Sequence, residues 1–161
     1  MIPMGNEPYG EYPSYYKSHN ALLQNSRDLL LEGFSQIPQI SVFPPRGGYF
    51  FVIDVENLIK FVPKKHFYNK NVENGVEPVG ENYFDLKDCE FTPGEACYLW
   101  LAKEIGVNMI PLDQFYDNEN KSLAEKKGKF LLRVSVTAKP ASIEAALQRL
   151  LKIVNLVDNK N

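Results

Sequence analysis

Pro44-Pro45-Arg46-Gly47-Gly48 separates two short runs with strand character. Before it, Gln39-Ile40-Ser41-Val42-Phe43 alternates along its length. After it, Tyr49-Phe50-Phe51-Val52-Ile53 is β-branched and aromatic. A five-residue link with two glycines suits a hairpin connection, so the two runs are expected to pair antiparallel. Glycine in the link supplies positive φ or lets another backbone approach closely.

Helical patterns flank this pair. Lys17 to Phe34 carries Leu22, Leu23, Leu29, Leu30 and Phe34 as an apolar stripe, and Pro38 forbids continuation. Thr92-Pro93-Gly94-Glu95 reads as a helix start: Thr92 as N-cap, Pro93 at the first helical position, Glu95 closing a capping box. That helix is expected to run to Ile105, with Cys97, Trp100, Leu101 and Ile105 on one face, and to stop at Gly106. Val107 to Leu112 reads as a short strand broken by Pro111. Lys129 to Thr137 reads as a strand with Leu132, Val134 and Val136 on one face and Leu131, Arg133 and Ser135 on the other. Lys139-Pro140 opens a last helix striped by Ile143, Leu147, Leu150, Leu151 and Val154. The order helix, strand, strand, helix, strand, strand, helix implies a two-layer α+β domain with helices packed on a short mixed or antiparallel sheet.

Three segments fall outside that pattern. Residues 1–16, with Pro3, Pro8, Pro13 and four tyrosines, read either as an extended arm that anchors on another surface or as a poorly ordered terminus. Residues 60–91 read as a long inserted loop, of the kind that is usually functional or an interaction surface. Residues 158–161 read as a tail. The domain proper is expected to span 17–157.

The chain has 161 residues and a net charge of −2, with 44% hydrophobic and 24% charged residues. That balance suits a folded domain and argues against nucleic acid as a partner. No apolar run is long enough to span a membrane. The first residues lack a signal-peptide pattern, so an intracellular location, mitochondrial or cytosolic, is expected. Cys89 and Cys97 match no zinc spacing and are expected to be free thiols.

Catalytic constellations are sparse. His19 and His66 accompany no nucleophile motif and are expected to be solvated surface residues. No phosphate-binding glycine loop is present, and no metal site is expected. Arg133 stands out as one of only four arginines, inside an otherwise apolar strand. It reads either as an exposed-face residue of a half-buried strand or as a rigidly held guanidinium for a two-pronged bond to a carboxylate.

Several segments together resemble the C-terminal part of class I pyridoxal-phosphate aminotransferases, closest to the kynurenine aminotransferase and glutamine transaminase K group. They are Arg27-Asp28 to Gly33, Pro45-Arg46-Gly47-Gly48-Tyr49-Phe50, Ile53-Asp54-Val55, Trp100 to Val107, Ile110-Pro111-Leu112-Asp113-Gln114-Phe115-Tyr116, and Leu132-Arg133-Val134-Ser135-Val136. They follow the family's order over about residues 17–155. The resemblance implies the small domain of that fold. It implies that Arg133 descends from the grip on the substrate's α-carboxylate, that Phe115 lies near the substrate side chain, and that the Gly47-Gly48-Tyr49 turn approaches the mouth of the site. Arg46 departs from the family, where a polar or acidic residue is usual.

The resemblance also implies what lies elsewhere. The family's Schiff-base lysine, its pyridine-nitrogen aspartate and its phosphate cup belong to the large domain. No catalytic or cofactor-binding residue is therefore expected here, and pyridoxal phosphate only with a separate large-domain chain. The leading expectation is a non-catalytic structural or accessory subunit bound to other proteins. The alternative is the C-terminal piece of a split or truncated enzyme that moves an amino group from an amino acid to a 2-oxo acid. A third reading is an autonomous small-molecule binder using Arg133.

Overall fold

A computed structural model describes residues 7–68, 80, 89–116 and 128–154. Most of the 60–91 segment, all of 158–161 and residues 1–6 lie outside the described residues.

Helix α1 spans Tyr15–Ser35, and Ser14 caps it by accepting the Lys17 amide at 3.3 Å. It starts earlier than the apolar stripe suggests, because a cap needs a side-chain oxygen rather than an apolar residue. Tyr15 and Tyr16 are thus helical. Ahead of them, Tyr9 and Tyr12 exchange backbone bonds of 3.0 Å across a turn at Gly10, so this part of the expected arm is folded back rather than extended. Leu30 and Phe34 are buried as the stripe requires, but Leu22 is 47% exposed.

Strand β1 (Ser41–Phe43) pairs antiparallel with β2 (Phe50–Asp54), Val42 opposite Ile53. The short helix α2 (Glu56–Ile59) and a 3₁₀ turn (Lys64–Phe67) follow. Helix α3 (Pro93–Trp100) carries the full capping box: Thr92 accepts the Glu95 amide and Glu95 accepts the Thr92 amide. It continues as a π turn over Leu101–Ile105 that ends at Gly106, φ 76°. Strand β3 is only Ile110–Pro111. A 3₁₀ turn over Asp113–Phe115 comes next. A 3₁₀ turn over Gly128–Phe130 occupies the start of the expected strand, leaving β4 as Leu131–Ser135. Helix α4 is Pro140–Leu150.

The sheet has four strands in the order β1-β2-β4-β3, and every pairing is antiparallel. The period-2 pleat sends Phe51, Ile53, Leu132 and Val134 to one side. There they share one core with Phe34 of α1, Trp100 of α3 and Ile143 and Leu147 of α4. The two-layer α+β reading holds. Gly33 is where α1 meets α4: a Cβ there would overlap the Leu147 side chain. Cys89 and Cys97 are both free thiols, and burial raises the Cys97 pKa.

Candidate functional site

The other side of the same sheet has a different composition. Phe43, Val52, Arg133 and Ile110 lie in one cross-strand row, set by the registers Phe43 to Val52, Val52 to Arg133, and Arg133 to Ile110. Phe43 is 55% exposed and Ile110 40%. Arg133 is the charge in the middle of this apolar row.

Its surroundings follow from register. Phe50 pairs with Ser135, which places it diagonally from Arg133 on the same face, within reach of a long side chain. The Phe50 ring centroid lies 4.3 Å from the guanidinium carbon. The Phe115 ring contributes a second such contact at 4.6 Å. Cation–π contacts of this kind are worth about 0.5–1 kcal/mol each at exposed sites. Phe115 arrives on its 3₁₀ turn, which the Leu112 amide ties to the Leu131 carbonyl at 2.9 Å. The same turn is bonded to the start of α3: Thr92 Oγ1 donates to Asp113 Oδ2 at 2.6 Å, and Gln114 Nε2 donates to Glu95 Oε1 at 3.1 Å. The residues that cap α3 thereby also seat the ring that touches Arg133.

Arg133 Nε is buried without a hydrogen-bond partner, and no ion pair engages the guanidinium among the described residues. A cavity of about 140 Å³ opens beside it, lined by Phe50, Asn108, Met109, Ile110 and Ser135. An always-charged fork, contacted by two rings and unpaired, can take a planar anion along its free N–H edges.

Of the residues expected at a site, Arg133 and Phe115 do come together. Gly47 and Gly48 line a separate cleft against α1, and the Tyr49 ring sits 6.3 Å from that of His19. Phe50 is the contact that sequence reasoning missed, although the alternation of its strand already placed it opposite Phe51. His66 corrects the expectation of a solvated histidine. It is 5% exposed, and its Nε2 lies 2.8 Å from Glu104 Oε1, which Lys65 Nζ also approaches at 2.6 Å. Burial pushes the imidazole below its ordinary value, although the Glu104 hydrogen bond works the other way. Burial pushes the Glu104 carboxyl up, but Lys65 and His66 together outweigh it and hold it below its ordinary value.

Solved structures share this arrangement of elements. The fold is that of an aminotransferase small domain. Bna3p of Saccharomyces cerevisiae, proposed to be a kynurenine aminotransferase, aligns with a TM-score of 0.63 and 22% identity over 88% of this chain. The aspartate aminotransferase of Rhizobium meliloti aligns with a TM-score of 0.58 and 14% identity over 90%. YbdL of Escherichia coli, a methionine aminotransferase, aligns with a TM-score of 0.52 and 21% identity over 88%. This chain spans 28%, 28% and 27% of those three chains respectively. No family model matches the chain. No helix among the described residues is long and apolar enough to cross a membrane.

Proposed function

We propose that this chain is an aminotransferase-derived small domain that does not transaminate alone and docks through its open sheet face onto a large domain. There Arg133 grips a carboxylate. The observation that carries this reading is the unpaired Arg133 guanidinium, contacted by Phe50 and Phe115 on the sheet face that the described helices leave uncovered.

The chemistry follows from those contacts. The two rings restrict the guanidinium plane, so less freedom is lost when a carboxylate forms parallel N–H···O bonds to it. Once a large domain covers it, the apolar row around Arg133 sheds water and strengthens the charge pairing. Pyridoxal phosphate, when bound in such an assembly, supplies the electron sink for amino transfer. Its covalent attachment needs a desolvated lysine of lowered pKa. No lysine among the described residues is buried, so none of them fits that role.

Native mass spectrometry of the complex formed by this chain, with absorbance in the region of lysine-bound pyridoxal phosphate, tests the reading. The expected result is a colourless isolated chain, a co-purifying large domain, and loss of amino-acid use in the assembly with Arg133→Ala. Cofactor covalently attached to this polypeptide with turnover and no companion would overturn it. The exposed Phe43, Phe115 and Ile110 on the same face also favour a purely structural subunit. In that case Arg133→Ala leaves both assembly and its activity unchanged.

A further inference from the structure

A second cleft, of about 270 Å³, lies between α1 and the loop joining β1 to β2, and its lining shares no residue with the cavity beside Arg133. We propose that it is an independent site for a small monocarboxylate with an apolar body.

Asn20, Gln24 and Arg27 recur at helical spacing and present one polar face of α1 to the cleft. Arg46 and Gly47-Gly48 face them from the loop. The charge count selects the ligand class. Arg27 is already engaged: its Nε donates to Asp28 Oδ1 at 2.8 Å and its Nη2 lies 2.7 Å from the same oxygen. Arg46 makes no ion pair or hydrogen bond among the described residues, and none of the lining residues is acidic. The surplus is one positive charge, which suits a carboxylate better than a phosphate dianion.

The loop backbone adds donors. Gly48 stands at φ 83°, and a Cβ at Gly47 or Gly48 would meet nothing within 4 Å, so no described residue crowds this stretch. Neither glycine amide donates a hydrogen bond within the protein among the described residues. Leu23, Pro45 and Val136 supply an apolar wall for a hydrocarbon chain or ring. At roughly 30 Å³ per water, the cleft has room for a one-ring acid. The site thus combines an arginine fork, free backbone N–H groups and an apolar floor, which are the elements that fix and orient a small acid.

The test is a titration of the full ¹⁵N-labelled chain with sodium benzoate, followed by NMR, with benzyl alcohol as the neutral control. Saturable shifts are expected at the Gly47 and Gly48 amides and at Arg46 Nε–H, and none with benzyl alcohol. Arg46→Gln is expected to raise the benzoate Kd read from the Gly47 and Gly48 shifts about tenfold or more, the loss of a charged hydrogen-bond donor, while Arg133→Gln leaves that cleft's Kd unchanged. Arg46 is exposed, and unchanged dispersion of the remaining amides confirms the fold of the variant. Shifts confined to the Arg133 face, shifts that never saturate, or a Kd indifferent to Arg46→Gln would each overturn the site. Because Arg133 Nε–H is read in the same spectra, failure of the carboxylate grip proposed there is seen separately.

Discussion

Leu132 and Arg133 are neighbours on one strand with opposite roles. Leu132 is fully buried beneath the helices, whereas the Arg133 side chain stands among exposed rings on the face that no described helix covers. The pleat alone separates them. Stability and the proposed recognition are thereby divided between the two faces of one sheet. The inner face holds the fold by burial. The outer face keeps apolar groups and a charge in positions that the isolated domain does not need.

The sharpest way to break this comparison is to substitute both neighbours. Leu132→Ala is expected to cost about 2–5 kcal/mol, as for other core truncations. Arg133→Met is expected to cost no more than about 1 kcal/mol, because the methionine sulfur keeps contact with both rings and the buried unpaired Nε is removed. Urea unfolding measures both, and equal losses would refute the division of roles. Next in size is Gly94→Ala, where the new Cβ would lie 2.6 Å from the Lys129 carbonyl oxygen. About 1–3 kcal/mol is expected from this overpacking between α3 and the turn before β4, read in the same assay.

Thr92→Ala links the two faces and is expected to cost about 1 kcal/mol, the usual value of an N-cap. It also removes the hydroxyl that holds Asp113, so the Phe115 ring should shift relative to Arg133. The Arg133 Nε–H resonance reports that movement, and an unchanged resonance would show that the cap and the ring are uncoupled.

The smallest expected effect is the pH dependence at His66, which lies apart from the open face. Its folded pKa is depressed by burial, so the unfolded chain binds the proton more readily. The stability it contributes is therefore complete above the ordinary histidine value of 6.5 and is lost as pH falls from there through the lower folded value. Glu104, also held low, adds a loss in the same direction as pH falls below its ordinary value of 4.5. Thermal unfolding from pH 7.5 to 5 should show a falling Tm in the parent and a flatter profile in His66→Gln. Equal slopes would remove His66 as the cause.

Much of the fold was legible. The capping box at Thr92 and Glu95, the stop at Gly106 and the inward set Leu132, Val134 and Val136 all occur as their local patterns require. Helix α1 and strand β4 differ at their ends, where side-chain caps and a 3₁₀ turn compete with periodicity. Of the candidate site, Arg133 stands out in the sequence as the charge in an otherwise apolar strand, whereas Phe115 enters only through the family resemblance. Phe50 was not, because its contact depends on register between strands. The burial of His66 was not, because its partner Glu104 sits on a π turn 38 residues away.

The sequence by itself determined what spans a few residues: where helices start and stop, and which strand residues share a side. Backbone hydrogen bonding, caps and the pleat act over that range. Only the tertiary structure decided that Arg133 would touch Phe50 and Phe115 with its Nε unpaired, and that Arg46 would face Arg27 across a cleft. Those meetings join segments distant along the chain. Their geometry follows from sheet register and helix packing, which no local pattern encodes.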